Sequence, residues 1–285
     1  MKIKRLHLKT KDYSVTGEEF QLLYNDDLEM LETFPRPSLD KLPDYYKSDD
    51  YISHTDNQSN LIEKVYHLVR WVSIRKKLRL ANSFKSGGKN LLDVGCGTGD
   101  FLKIAHKNGW EIMGIEPNDK ARQIANKKTN KHVYGAEEFQ KIKNDGFDAI
   151  TLWHVFEHLF NPEEQLSIFK SLLKDNGSII IAVPNFKSYD SNYYKNFWAA
   201  YDVPRHLWHF SKASMRNLTE KSGLKIVATL PMRFDAFYIS LLSEKYKNGT
   251  MNPLRAFRVG WLSNFKARKS REYSSLIYVI KKREN

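Results

Sequence analysis

The stretch LLDVGCGTGD, residues 91–100, decides the fold of this 285-residue chain. It begins with an apolar run typical of a buried strand, continues through Gly95, Gly97 and Gly99, and is followed by a helical pattern. Glycine allows tight backbone turns and the close approach of a ligand, and the amides at the start of a helix bind polar groups. The stretch therefore predicts a nucleoside- or nucleotide-binding loop, although a tight turn alone also explains the glycines.

Short apolar runs alternate with helical stretches on both sides of this loop. Strands are predicted at NLLDVG, WEIMGIE, KHVYG, FDAITLWH, GSIIIAVP, KIVATLPM and SSLIYVIKK. Helices are predicted near residues 59–82, 98–108, 118–129, 136–143, 161–174 and 211–222. Because such alternation places helices on both faces of a parallel sheet, the sequence predicts a doubly wound, Rossmann-like α/β fold with seven strands.

The regions outside this alternation suggest the domain organisation. Residues 1–57 are polar, acidic and aromatic and contain three prolines, which predicts an irregular N-terminal cap. Residues 58–285 form the second predicted domain. Within it, the aromatic segment 185–210 and the basic segment 235–272 are insertions, and insertions after the strands of an open sheet tend to line its ligand crevice.

The cysteine content and the hydropathy of the chain bound its class. The single cysteine, Cys96, excludes an intrachain disulfide and a multi-cysteine zinc site, which fits a reducing compartment. The N-terminus lacks the apolar core of a signal peptide, and the longest apolar run, residues 179–183, is too short to cross a bilayer. We therefore expect a soluble, cytoplasmic protein without a transmembrane segment.

The net charge of +13 is unevenly distributed. Residues 1–57 hold 8 basic and 12 acidic side chains, whereas residues 212–285 hold 16 basic and 5 acidic ones, a net charge of +11. A basic surplus of this kind favours anionic partners such as nucleic acid, phosphorylated metabolites or membrane headgroups. A solvated, lysine-rich surface explains it equally well.

An acidic residue after the second strand narrows the ligand class. Glu116 lies 21 positions after Gly95, where a carboxylate can accept both hydroxyls of a ribose, or else cap the next helix. The spacing G-x-G-x-G differs from the G-x-G-x-x-G of dinucleotide-binding loops. Asp93, two residues before the first glycine, suits a cationic ligand better than a pyrophosphate, which disfavours a dehydrogenase.

Four segments together resemble the class I S-adenosylmethionine (SAM)-dependent methyltransferases. They are LLDVGCGTGDFL, GIEPN, FDAITLWHVFEHL and the final strand SSLIYVIKK. The resemblance implies that this last strand is antiparallel. The order EHL, LLK, VPN and PRHLWHFS is similar to the ubiquinone-biosynthesis O-methyltransferase-like branch, which acts on small molecules. Some relatives carry a zinc-binding, cysteine-rich N-terminus, but residues 1–57 contain no cysteine, so we expect no metal.

The resemblance implies SAM as the cofactor, S-adenosylhomocysteine (SAH) as its product, and a set of binding residues. Around the methionine part it places Asp93, Gly95, Cys96, Gly97 and Gly99, with Glu116 on the ribose, Pro117, Asn118, Ala136 and Glu137 near the adenine, and Trp153, His154 and Val155 beneath the sulfonium. His158 is a further cofactor-side candidate, and Tyr51 and His54, with Tyr45 and Tyr46, are candidates to close over the cofactor from the cap. Cys96 is read as a small packing residue rather than a nucleophile.

Candidates for the acceptor site cluster in YDVPRHLWHFS, residues 201–211. Arg205 can hold an anionic acceptor, and His206 or His209 can act as a general base, because a histidine titrates near neutrality. The histidines can instead bond backbone carbonyls and fix a lid. The aromatic run at residues 192–202 suits either a pocket wall or ordinary core packing.

The function predicted from these residues is methyl transfer to a small-molecule, lipid or sugar-precursor acceptor, by O- or C-methylation. The acceptor is expected to carry negative charge, and peripheral membrane contact is a second role considered for the basic C-terminal quarter, residues 212–285. An RNA methyltransferase is the alternative suggested by that quarter, although no N/D-P-P-Y/F string follows the fourth strand, where the sequence reads LWHV. A non-catalytic SAM-binding protein is the second alternative.

Overall fold

The chain folds into eleven strands and nine α-helices within residues 4–38, 40–46, 61–84, 87–139, 141–142 and 146–283, which the computed structural model describes. The strands are β1 (Arg5–Lys11), β2 (Glu19–Asn25), β3 (Met30–Phe34), β4 (Asn90–Val94), β5 (Glu111–Ile115), β6 (Val133–Tyr134), β7 (Phe147–Trp153), β8 (Leu173–Pro184), β9 (Trp208–His209), β10 (Leu224–Pro231) and β11 (Ser275–Lys282). The helices are α1 (Leu61–Phe84), α2 (Asp100–Lys107), α3 (Asp119–Lys128), α4 (Ala136–Phe139), α5 (Pro162–Leu172), α6 (Tyr189–Tyr194), α7 (Lys212–Lys221), α8 (Asp235–Asn248) and α9 (Pro253–Ser270).

The central sheet has seven strands in the order β10-β11-β8-β7-β4-β5-β6. The pairs from β6 to β8 are parallel, and β11 runs antiparallel to both of its neighbours, β8 and β10. The predicted Rossmann-like sheet with an antiparallel last strand is therefore confirmed. Its strands read as continuous apolar runs because both faces are covered, so that Leu92, Ile150 and Ile180 are fully buried.

The strand order places the candidate site at the carboxyl ends of β4, β5 and β7. In the sheet register, Asp93 of β4 lies between Gly114 of β5 and Thr151 of β7. Helix α2 starts directly after the glycine loop and buries Phe101, Leu102 and Ala105 against the sheet. In an open α/β sheet, this edge is where ligands bind.

The N-terminal segment corrects the prediction of an irregular cap. Strands β1, β2 and β3 form an antiparallel sheet, which β9 completes on the far side of β3. Apolar residues that include Phe20 and Leu22 alternate along β2 and are buried on one face. The Asp12 carboxylate accepts hydrogen bonds from the amides of Ser14 and Thr16 and so holds the turn between β1 and β2.

The two insertions are also ordered elements. Residues 185–210 contain α6, two 3₁₀ turns and β9, and their aromatic side chains Tyr194, Trp198 and Tyr201 are buried in a cluster with Leu22 and Leu31. Core packing, one of the two roles predicted for the aromatic residues 192–202, therefore applies to these three side chains. Residues 235–272 form the helices α8 and α9, which pack on each other. None of the helices in the described ranges is long and apolar enough to cross a membrane.

Candidate active site

The glycine loop turns the chain from β4 into α2 with three left-handed glycines. Gly95, Gly97 and Gly99 have φ values of +68°, +55° and +75°. A Cβ on Gly95 would lie 2.4 Å from Val155 Cγ2, and one on Gly99 would lie 2.9 Å from Ala125 Cβ, whereas one on Gly97 would meet nothing within 4 Å. Two of the glycines are thus required by packing, and the space over Gly97 is open to a ligand.

Glu116 closes the loop from the end of β5. Its carboxylate accepts hydrogen bonds from the amide of Gly97 at 2.8 Å and from the amide of Asn118 at 2.9 Å, and burial raises its pKa. Asn118 caps α3 by accepting from the amide of Ala121 at 3.0 Å, and Pro117 stands between these two residues. Because Asn118 fills the capping role, the alternative reading of Glu116 as the helix cap does not apply.

Asp93 is a buried acid beside the loop. Its side chain is 2% exposed, and the Thr151 hydroxyl donates to it at 2.6 Å. Burial raises the pKa of Asp93 from 3.8 to about 7, against the opposing effects of that hydrogen bond and of the Lys77 charge. The carboxylate is therefore poised to ionise when a cation approaches.

The Cys96 thiol points into the sheet. A Cβ on Gly114 of β5 would lie 2.8 Å from Cys96 Sγ, so the side chain occupies the space that this glycine leaves. Burial raises the pKa of the thiol, which keeps it protonated at neutral pH. These contacts are those of the packing residue that the sequence predicts.

The residues predicted beside the adenine lie at the carboxyl edge of the sheet. The amide of Glu116 donates to the carbonyl of Tyr134, which ends β6, and α4 begins two residues later. Ala136 and Glu137 occupy the exposed first turn of α4. Helix α4 ends at Phe139, short of the predicted helix at 136–143.

The segment after β7 carries Trp153, His154 and Val155. The Trp153 ring packs edge-on against Phe101, and the Lys77 ammonium lies 4.6 Å from the centre of that indole ring. His154 adopts a left-handed conformation with φ +59°, and Val155 fills the space beside Gly95. Trp153 therefore adjoins the first turn of α2 and Val155 adjoins the glycine loop. Their predicted place beneath the sulfonium stays a prediction.

His154 lies between two acids. Its Nε2 is 3.0 Å from Asp235 Oδ2, and its Nδ1 is 3.4 Å from Glu157 Oε1. Burial alone would lower the pKa of His154, but the two acids outweigh burial and raise the pKa to about 10. The side chain remains about one-third exposed (34%), so a protonated imidazolium is accessible to solvent at neutral pH.

The Arg205 guanidinium is enclosed by hydrogen-bond acceptors of the protein. Its nitrogens donate to the carboxylates of Asp202 and Asp12, the carbonyl of Tyr45 and the hydroxyl of Ser14. The side chain is 6% exposed. These contacts join the N-terminal sheet to the segment before β9, so Arg205 connects two parts of the fold.

The two histidines predicted as bases are both buried. His209 lies in β9, where its Nε2 is 3.0 Å from the Thr33 hydroxyl, and burial lowers its pKa well below the usual value. The Nδ1 of His206 is 2.9 Å from the carbonyl of Ala200, so this nitrogen carries the proton. The remaining nitrogen, Nε2, faces Asp202 and Glu157 at 3.9 and 4.0 Å.

Glu157 is the centre of a buried cluster that the sequence analysis did not single out. Its side chain is fully buried, and its carboxylate oxygens have no hydrogen-bond partner among the described residues. His158 contacts the hydroxyl of Tyr46 and the carbonyl of Arg205 through Nδ1, and burial lowers its pKa to about 4. Ligand atoms of Glu157, His158 and His206 lie within 4.8 Å of one another, which is close enough to hold a metal ion. The expected absence of a metal therefore stays a prediction.

A cavity of about 440 Å³ opens between α1 and the segment 230–235. Four cationic side chains line it, Lys76, Lys77, Arg79 and Arg233. The apolar side chains of the lining include Leu80, Leu230, Met232, Phe234 and Ile277. Asp235, the partner of His154, is also part of the lining. The cavity therefore adjoins the carboxyl end of β7. Its cationic residues come from two elements far apart in the sequence, so no local motif signals it.

Tyr51 and His54, which are predicted to close over the cofactor, lie outside the described residues.

The fold and this site define a class of protein. Residues 54–229 match the family of methyltransferase domains, and the chain belongs to that family. Its sheet order and glycine loop are those of the class I SAM-dependent methyltransferases, which confirms the resemblance drawn from the sequence.

Individual relatives agree with this assignment. The chain is 27% identical over 166 residues to the mitochondrial ubiquinone biosynthesis O-methyltransferase of Homo sapiens, covering 53% of this chain and 45% of that protein. It is 29% identical over 111 residues to the ubiquinone biosynthesis O-methyltransferase of Aromatoleum aromaticum, covering 36% and 47%. The chain thus spans about half the length of the curated relatives it matches.

Solved structures share the fold. The magnesium protoporphyrin IX methyltransferase of Synechocystis, determined with bound SAH, superposes with a TM-score of 0.57 at 14% identity, covering 86% of this chain and 100% of that one. The geranyl diphosphate C-methyltransferase of Streptomyces coelicolor superposes with a TM-score of 0.54 at 11% identity, covering 81% and 89%. At these identities, the likeness shows the architecture alone.

Proposed function

We propose that the protein transfers a methyl group from SAM to a small-molecule acceptor, with O- or C-methylation of a lipid or sugar precursor favoured. The observation that carries this proposal is the loop itself. The space over Gly97 is open, the Gly97 amide donates to the buried Glu116 carboxylate, and the buried acid Asp93 lies two residues before the first glycine of the loop. The family match supports the reaction class.

The residues present fit SAM as the cofactor. Each Glu116 oxygen accepts one backbone amide and keeps a lone pair for a ribose hydroxyl. Asp93, whose raised pKa reflects burial without a strong cationic partner, suits the ammonium of the methionine part. When bound, SAM supplies a methyl group that its positive sulfur already activates, so the protein's task is to position the acceptor and exclude water.

We place the acceptor in the cavity between α1 and residues 230–235. Cations such as Lys76 and Arg233 beside apolar side chains match an amphipathic acceptor with a carboxylate, phosphate or phenolate group. The name of the human relative, a ubiquinone biosynthesis O-methyltransferase, supports a small molecule of this general kind.

The geometry favours a charged cavity over a histidine base. His154 is protonated between two acids, and the Nε2 of His206 faces acids rather than the cavity. A positive lining lowers the pKa of a bound hydroxyl and so favours the nucleophilic oxyanion. His206, His209 and Arg205 stay predictions for the acceptor site. The variant His206→Gln tests the base role, because loss of a general base costs roughly 10²- to 10⁴-fold in rate.

The cofactor assignment is tested by calorimetry with SAH. Glu116→Ala removes two charge-assisted hydrogen bonds, each worth roughly 1.5–3 kcal/mol before water replaces part of it, so affinity should fall at least tenfold. Glu111→Ala, an exposed acid at the opposite end of β5, is the matched control and should bind normally. Equal SAH affinity in wild type and Glu116→Ala would refute the assignment.

The acceptor class is tested with SAM that carries a labelled methyl group. We expect label in small molecules of a cell extract, and a large loss of incorporation in Arg233→Glu with SAH affinity unchanged. Lys107→Glu, an exposed cation on α2 away from the cavity lining, should behave as wild type. Label in RNA instead would contradict the proposed acceptor class.

A further inference from the structure

Helix α9 presents an exposed apolar stripe along its outer face. Leu254, Phe257, Trp261 and Phe265 are 86%, 62%, 52% and 53% exposed. Their spacing of three and four residues places them within a sector of roughly 80° on a helix with 3.6 residues per turn. Met251, 49% exposed, extends the stripe just before the helix begins.

The opposite face of α9 already has a partner. Its buried residues are small, namely Ala256, Val259, Gly260, Ser263 and Ala267. A Cβ on Gly260 would lie 3.0 Å from the carbonyl oxygen of Ala236, so α8 packs closely against this face. Packing within the chain therefore accounts for the small residues and leaves the four large ones in solvent, where such a contiguous apolar patch marks an interaction surface.

The charge on α9 identifies the chemistry of the occupant. Residues 251–271 contain six basic side chains and no acidic one. The basic residues flank the stripe, and all of them are exposed: Arg255, Arg258, Lys266, Arg268, Lys269 and Arg271. A second copy of this helix would bring like charges together, whereas an anionic surface would complement them.

We propose that the outer face of α9 docks the protein on an anionic lipid bilayer. A helix with Trp, Phe and Leu on one side and flanking Lys and Arg inserts its apolar side at the headgroup level. Leu254 and Met251 favour lipid over RNA, because aliphatic side chains offer no ring for base stacking. Each basic residue adds attraction to anionic headgroups.

The docking face is coupled to the proposed acceptor cavity. Asn264 of α9 donates to the carbonyl of Arg233 at 2.9 Å, and Arg233 lines the cavity. The neighbouring Phe234, also in the lining, is 41% exposed. A protein held on the bilayer by α9 would thus keep its cavity-lining segment 230–235 close to membrane-borne amphipathic molecules. This last step rests on the proposed function, whereas the docking itself does not.

The test is co-sedimentation with vesicles of phosphatidylglycerol and phosphatidylcholine, with phosphatidylcholine vesicles for comparison. Wild type should bind the anionic vesicles, and binding should weaken from 0.1 to about 0.5 M salt, where the Debye length shortens. The triple variant Leu254→Ser, Trp261→Ser, Phe265→Ser should lose tenfold or more of its partitioning, because full burial of one such side chain is worth about that much. Arg258→Glu with Lys269→Glu should weaken binding to anionic vesicles only.

A second triple variant, Leu6→Ser, Val15→Ser, Val227→Ser, is the matched control, since it removes exposed apolar side chains elsewhere and should bind as wild type. SAH affinity, expected unchanged in every variant, verifies folding and separates docking from catalysis. Three results would overturn the proposal: vesicle binding that survives the α9 triple variant, a wild-type dimer that ignores vesicles and dissociates in that variant, or binding of RNA without binding of vesicles.

Discussion

The Asp93 carboxylate provides the sharpest test of the site, because its burial has a measurable cost. The acid is 2% exposed, and burial raises its pKa from 3.8 to about 7. The native state therefore holds a proton that the unfolded chain releases between these two values. Stability must fall as pH rises through this window, and the full cost is present above pH 7.

The structure sets the size of the effect. A rise from 3.8 to about 7 corresponds to about 4 kcal/mol, at 1.36 kcal/mol for each tenfold change. Asp93→Asn removes the ionisable group and keeps an oxygen that can accept from Thr151. Relative to wild type, the ligand-free variant should gain about 3 kcal/mol of unfolding free energy between pH 5 and pH 8. Its SAH affinity should fall, because the variant lacks the acid that we propose to pair with the ligand's ammonium.

Urea denaturation of the ligand-free protein at pH 5 and pH 8 measures this gain. Asp175→Asn, at a carboxylate 96% exposed, is the control and should show no such dependence on pH. The difference between wild type and variant cancels the effects of the other titrating groups. An Asp93→Asn gain that is the same at both pH values would refute the assignment of a buried, proton-binding Asp93.

Two further predictions concern the charged groups around the site. Arg205→Met should cost about 3–5 kcal/mol of unfolding free energy, since it leaves Asp12 buried without its cation. Urea denaturation measures this loss, and a variant as stable as wild type would contradict the role of Arg205 in joining the N-terminal sheet to the core. Asp235→Asn should lower the pKa of His154 from about 10. In wild type the stabilisation from the His154 ion pair is complete below pH 6.5 and is lost as pH rises through about 10. NMR titration of His154 measures its pKa, and an unchanged pKa in the variant would disprove the pairing.

The central sheet and the glycine loop were predictable because their signals are local. A strand, its turn and the following helix are contiguous in residues 90–107, and apolar runs mark the buried parallel strands whatever their partners are. The acids Asp93 and Glu116, which we propose as cofactor ligands, stand at fixed offsets from the same glycines. For these residues, sequence neighbourhood and spatial neighbourhood coincide.

The N-terminal sheet was not predictable in this way. Strand β3 pairs with the two-residue strand β9, and Leu31 faces His209 across 178 positions of sequence. A two-residue strand has no periodicity, and the prolines at 35 and 37 follow β3 rather than interrupt it. The same distance hides the Asp12–Arg205 pair, so the sequence does not show that this arginine is buried in an ion pair.

Helix α9 was missed for a different physical reason. Helices are usually recognised by large apolar residues on the buried side, but here Gly260, Ser263 and Ala267 are buried and Trp261 and Phe265 are exposed. The small residues permit the close approach of α8, which places Asp235 beside His154. Small buried residues and large exposed ones on α9 therefore have two consequences. Close packing of α8 fixes Asp235 at the candidate active site, and the exposed aromatic residues form the outer face that we assign to the membrane.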